Sequence, residues 1–254
     1  MLKELSASVA KLIQAEGEKL ARTWQDAQTT TQKDVRDVVT AADVDIENAL
    51  RVGLSELLPL AGFVVEEGTN TIEKQYMWVI DPIDQTKNFA SKLPLFYIQA
   101  ALLEQGTPIL GVIYQPVSGQ CFAGSRGNGV TLNGAPLPVR SAESLSAALI
   151  DIDLGGSDDV VLKQRTIGAL VQRAYRVRVS GGAYAPYLLT GAIDASIVLN
   201  QKTKLVDQAP RIELFREAGL RSEVVSVGAH TYFVTAPETL YTELVSLLND
   251  AHGS

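Results

Sequence analysis

Apolar positions recur at helical spacing between Leu2 and Trp24, at Leu5, Val9, Leu12, Ile13 and Leu20, and predict an amphipathic first helix. The polar stretch 25–37, with its threonine cluster Thr29-Thr30-Thr31, predicts an exposed loop. Thr40-Ala41-Ala42-Asp43 has the form of a capping box with Asp in place of Glu, and opens a second helix that runs to about Leu58, before Pro59. Gly62–Val65 reads as a strand ending in Glu66-Glu67-Gly68. From Met77 to about Val139 short apolar runs alternate with Gly, Pro and Asn turn signals. They predict strands over Phe96–Leu103, Ile109–Tyr114 and Gln120–Ala123, and a hairpin turn at Asn133-Gly134. This half has the pattern of two helices packed on an antiparallel sheet.

The second half alternates. Strands are expected at Leu149–Ile152, Tyr175–Val179 and Ala192–Leu199, with a strand pair over Glu223–Val234. Helices are expected at Val160–Arg173, Tyr184–Leu189, Val206–Ala218 and Pro237–Leu248. The alternation suggests a layered α/β lobe. The Ser-rich stretch near Arg140–Ser146 divides the chain into residues 1–142, an N-terminal α+β lobe, and residues 143–254, a C-terminal α/β lobe.

A chain of 254 residues can bury a large core, and its 46% hydrophobic content is ordinary for a globular protein. The net charge of -7 argues against non-specific nucleic-acid binding, which runs on an excess of Lys and Arg. No run is long and apolar enough to span a bilayer, and the N-terminus is unlike a signal peptide. A single cysteine, Cys121, excludes an internal disulfide and makes the cytoplasm the expected compartment. The two histidines, His230 and His252, have no ligand-spaced companions, and His252 is expected to fray. Zinc chemistry and Ser-His-Asp catalysis are thereby disfavoured. The chemistry falls to carboxylates, hydroxyls and a metal.

The segment Trp78-Val79-Ile80-Asp81-Pro82-Ile83-Asp84-Gln85-Thr86-Lys87-Asn88-Phe89 delivers two carboxylates and a hydroxyl at the end of an apolar run. Carboxylates so close repel one another unless cations neutralise them, and hard oxygen ligands suit Mg2+ or Mn2+. Asp-Pro with a nearby Asp is also a turn signal, but a turn does not require a strongly apolar run before it. Asp43 and Asp207 each sit at a helix start, where capping is their plainest role.

Taken together these elements resemble the inositol monophosphatase family of lithium-sensitive, metal-dependent phosphatases. The central segment is similar to the family signature Trp-x-Ile-Asp-Pro-Ile-Asp-Gly-Thr-x-Asn-Phe. Val39-Thr40-Ala41-Ala42-Asp43 with Glu47, the pair Glu66-Glu67, Val206-Asp207-Gln208-Ala209 and Glu217-Ala218-Gly219 match its other landmarks in order. The resemblance implies an αβαβα layered sandwich and a Mg2+-dependent phosphomonoesterase, a homodimer acting on a small phosphorylated metabolite. It implies that Glu67, Asp81 and the Ile83 carbonyl hold a first Mg2+, that Asp81, Asp84 and Asp207 hold a second, and that Glu67 helps with a weaker third. Mn2+ could substitute. Thr86 with Asp43 would orient and deprotonate the attacking water, assisted by Glu67. Backbone N–H groups of Gln85 and Thr86 would cradle phosphate; Lys87 either reaches the phosphate or a second acidic group, or is simply a solvated lysine. Gly181, Gly182 and Ala183, following Ser180, resemble the substrate loop, and Asn200 would face the substrate.

The chain departs from the family pattern at Gln85 for Gly, at Lys87, at Val206 for Trp and at Pro210, expected in the first turn of its helix. If position 85 requires a positive φ, glutamine there costs about 1 kcal/mol or more. The segment between Asp194 and Asp207 has no carboxylate to bind inositol hydroxyls, whereas Lys202 and Lys204 would favour a bisphosphorylated or nucleotide substrate. Fructose 1,6-bisphosphate, histidinol phosphate, an adenosine bisphosphate and NADP are therefore alternatives to inositol 1-phosphate. A member that has lost activity and persists as a binding or regulatory protein is a further alternative.

Overall fold

The computed structural model describes all residues except 27–28, 35–36, 67, 72–73, 139–141, 156, 200–204 and 253–254, and of 29–34 and 37–40 only the backbone. Its first elements are α1 (Leu2–Thr23), β1 (Thr29–Asp34), β2 (Asp37–Thr40), α2 (Ala41–Leu57), β3 (Gly62–Val65), β4 (Tyr76–Asp84) and α3 (Thr86–Ala90). Then come β5 (Tyr97–Glu104), β6 (Thr107–Gln115), β7 (Gln120–Ser125), β8 (Val130–Leu132), β9 (Ala135–Pro136), β10 (Leu149–Asp153) and α4 (Val160–Arg173). The remainder is β11 (Arg176–Arg178), α5 (Ala185–Thr190), β12 (Ala195–Leu199), α6 (Leu205–Glu217), β13 (Arg221–Val227), β14 (His230–Ala236) and α7 (Glu238–His252). No helix among the described residues is long and apolar enough to cross a membrane.

The chain divides into two compact units, Met1–Pro136 with Lys204–Glu217, and Leu137–Thr203 with Ala218–Ser254. A single cut at 142/143 puts α6 in the second lobe; in the structure α6 belongs to the first unit. The reason is packing. The first unit holds a seven-stranded sheet in the order β3-β4-β5-β6-β7-β8-β9, antiparallel except for the β3–β4 pair. Trp78, Ile80, Ile98, Ala100, Leu102 and Val112 face a core with Val9 and Ile13 of α1 and Leu50 and Leu54 of α2. The alternate residues Met77, Val79, Ala101 and Leu103 pack on Val206 and Ala209 of α6. A strand covered on both faces must be apolar throughout, which explains the run that leads to Asp81.

The second unit has a five-stranded sheet in the order β11-β10-β12-β14-β13. β10 runs parallel to β11 and β12, while β14 is antiparallel to β12 and β13. Ile150, Ile152, Ile197 and Val234 form its core with Leu162 and Leu170 of α4 and Leu240, Leu244 and Leu248 of α7.

Three local expectations change. The stretch read as a loop contains the antiparallel pair β1–β2. The threonines of this stretch are β-branched and satisfy strand propensity, which the polarity of the segment masks. His252 is not frayed: it closes α7, and its Nε2 lies 3.0 Å from the Thr166 hydroxyl. Pro210 lies inside α6 and beyond its first turn, where it offers no N–H to the Val206 carbonyl. The Thr40 side chain, the proposed cap of α2, is outside the described residues. Cys121 is 2% exposed within β7, and burial pushes its thiol up to about 12.

Candidate active site

β4 carries Asp81 and Asp84 to its C-terminal end. Asp81 pairs with Gln99 of β5 and Asp84 with Tyr97, with a register shift between them. Three steps on β4 match two on β5, so one residue of Pro82-Ile83 is extra, and a proline at a bulge removes no ladder hydrogen bond. Both carboxylates are buried, Asp81 at 1% exposure and Asp84 at 7%.

Asp81 accepts a hydrogen bond from Gln99 Nε2 at 2.9 Å on Oδ2, while its Oδ1 has no hydrogen-bond partner. Burial is the main cause that raises its pKa well above the ordinary range; Asp84, Glu66 and Asp207 add repulsion, and the Gln99 bond opposes them. Glu66 is thus an acidic neighbour of Asp81. The loop that carries it is tied to α2, because Glu47 accepts the Gly68 N–H at 3.2 Å. Asp43 lies in the first turn of α2 at 1% exposure, one turn before Glu47.

After Asp84 the chain turns through Gln85, whose φ of 69° and ψ of 44° lie in the left-handed region. Glycine enters that region freely and glutamine does not. The turn starts α3, with the Gln85 carbonyl accepting from the N–H groups of Asn88 and Phe89. The Thr86 hydroxyl donates to the Ile83 carbonyl at 2.9 Å. Lys87 is exposed.

α6 contributes Asp207 from its first turn, half-buried, and Arg211 one turn later, 3% exposed. The Arg211 guanidinium forms an ion pair with Asp84. Pattern reading missed Arg211, Gln99 and the proximity of Glu66. Arg211 was open to detection: four residues past Asp207, it shares that residue's helix face.

Among the described residues, no three His, Cys, Asp or Glu side chains gather closely enough to hold a metal ion together. Glu67 lies outside the described residues, as do Asn200, Lys202 and Lys204. The chemistry at Asp81 nonetheless fits a hard cation. A carboxylate with a bare oxygen, raised chiefly by burial and further by three negative neighbours, is relieved by a positive charge.

The loop 180–183 belongs to the second unit. Gly181 and Gly182 have φ of 64° and 96°, and Ala183 is fully buried. Ser180 anchors the loop, donating its N–H at 2.9 Å and its hydroxyl at 3.0 Å to Asp151. Burial lifts the Asp151 carboxyl to about 6, against the Ser180 bonds.

A sequence model of the inositol monophosphatase family matches residues 1–250. The chain belongs to the inositol monophosphatase family. Inositol monophosphatase 3 of Solanum lycopersicum is 28% identical over 167 residues, which cover 64% of this chain and 62% of that relative. The structure of extragenic suppressor protein suhB from Bartonella henselae has a TM-score of 0.84 at 23% identity, covering 97% of both chains. An IMPase/NADP phosphatase solved with Mg2+ and phosphate has a TM-score of 0.82 at 19% identity, covering 98% of this chain and 96% of that one. Both structures share the layered α+β fold of the chain.

Proposed function

We propose that the chain is a metal-dependent phosphomonoesterase that hydrolyses a small phosphorylated metabolite. The observation that carries the reading is Asp81: buried, bare at Oδ1, and set beside the acidic groups Asp84, Glu66 and Asp207. A solved structure of the same fold that holds Mg2+ and phosphate supports it. Glu67, Asp81 and the Ile83 carbonyl would hold Mg2+, or Mn2+ in its place, and Asp81, Asp84 and Asp207 would hold a second ion. Bound there, a divalent cation supplies the charge that acidifies water and steadies a leaving oxygen.

The protein's own groups position the reactants. The Thr86 hydroxyl donates its hydrogen bond to the Ile83 carbonyl, so its oxygen lone pairs can accept from the attacking water, with Asp43 as the second group of the pair. The N–H groups at Gln85 and Thr86 would receive the phosphate, and exposed Lys87 would add charge. Gly181, Gly182, Ala183 and Asn200 would contact the rest of the substrate. The same reading includes a homodimer and a cytoplasmic location.

The test is phosphate release with and without Mg2+ from inositol 1-phosphate, fructose 1,6-bisphosphate, histidinol phosphate, adenosine 3′,5′-bisphosphate and NADP. Release from one of them is expected to need Mg2+ and to fall at least about a hundredfold in Asp81→Asn, since that change removes charge at the site itself. Release unaffected by EDTA and by Asp81→Asn would remove the metal mechanism. No release from any of them by folded protein favours a binding role.

A further inference from the structure

We infer that the Arg211 guanidinium occupies the role of a second cation, so that the site takes one divalent ion per chain. The inference rests on the metal-dependent reading above and concerns how its charge is supplied. Asp84 is a carboxylate assigned to a second ion, yet in the structure it is ion-paired with Arg211, both side chains being less than a tenth exposed. A guanidinium is charged at every accessible pH and grips carboxylates and phosphates through planar N–H donors. Inside the protein such a pair is not screened by solvent, and a divalent ion approaching Asp84 would meet a fixed positive charge in contact with it.

The helix geometry makes this a built arrangement. Asp207 and Arg211 stand four residues apart on α6, so the helix that delivers the acid also delivers the positive charge. α6 is itself pressed against the sheet through Val206 and Ala209, which fixes where the guanidinium reaches. Asp81 differs from Asp84: one oxygen is bonded to Gln99 and the other has no partner. One carboxylate is left for a metal and the other already has its cation.

The experiment counts Mn2+ bound per chain by electron paramagnetic resonance titration, reading both the free-ion signal and any Mn–Mn coupling. Wild type is expected to plateau at one ion with no coupling. Arg211→Met, which keeps bulk and removes charge, is expected to plateau at two with a coupled signal, because Asp84 loses the positive charge in contact with it. Two coupled ions in wild type overturn the inference and leave the metal-dependent phosphatase reading intact. No ion in wild type overturns both. A folded Arg211→Met that still binds one ion also overturns the inference, and if that variant does not fold, the wild-type count decides alone.

Discussion

Gln85 is where a single side chain bears on both folding and chemistry. Its backbone sits at φ 69°, a conformation that costs a residue with a Cβ about 1 kcal/mol relative to glycine. The local compensation is small: the Asn88 amide reaches Gln85 Oε1 only at 3.5 Å and takes a better acceptor, the Leu95 carbonyl, at 2.8 Å. Gln85→Gly is therefore expected to raise unfolding free energy in urea by about 0.5–1 kcal/mol, the gain being reduced by glycine's freedom in the unfolded chain. Unchanged or lower stability would show that the glutamine side chain makes up the strain through contacts of its own. Arg211 is the complementary case. Its sequence mark is only its spacing four residues past Asp207, and in the structure it is buried and ion-paired with Asp84.

At the scale of elements, α6 decides the geometry, and it lies close enough to β6 that no side chain fits between them at one point. A Cβ on Gly111 would stand 2.3 Å from the Pro210 carbonyl oxygen, and a backbone atom cannot swing aside. At its other end Glu217 accepts the N–H groups of Gly127, Asn128 and Gly129 at 2.8, 3.0 and 2.8 Å, tying α6 to the turn after β7. Gly111→Ala is expected to cost about 2–3 kcal/mol by overpacking and to shift Asp207 and Arg211 together. A cost under about 0.5 kcal/mol in chemical denaturation would mean that α6 can ride outward freely. The placement of α6 also shows what was legible in the sequence. β4, the Asp81–Asp84 spacing and the Asn133-Gly134 turn, with φ of 51° and 81°, are written in local pattern and turn chemistry. α6 is not. It buries Gln208, Arg211 and Glu213, residue types that ordinarily signal solvent, so its apolar stripe is blurred and neither its buried faces nor its unit can be read from the pattern. Strands β1 and β2 escaped because, among the described residues, each pairs with no strand but the other, and a two-stranded ribbon leaves little alternation in the sequence to read.

Across the whole molecule, the two units carry their acidic sensitivities in different places, and Asp151 sets that of the second. It is fully buried in β10, where it accepts both hydrogen bonds of Ser180, and its carboxyl is raised to about 6, chiefly by burial. In the unfolded chain an aspartate titrates near 4. Between those values the folded state binds more protons than the unfolded one, so stability falls as pH rises. The contribution is fully present below about 4 and is lost by the time pH has passed through about 6, a change of roughly 3 kcal/mol at most. Asp151→Asn removes the titration while keeping both partners, since its amide oxygen accepts the Ser180 N–H and its NH2 donates to the Ser180 hydroxyl. Urea unfolding of both proteins from pH 4 to pH 7.5 is therefore expected to show wild type losing ground to Asp151→Asn as pH increases, with most of the loss between pH 4 and 6. Other carboxylates titrate equally in both proteins and cancel in the difference. A difference that is flat with pH, or that runs the other way, would mean that the two Ser180 bonds outweigh burial and that Asp151 is ionised throughout. The loop next to Gly181 and Gly182 would then be held by a charge at every pH, instead of by a group that changes state just below neutrality.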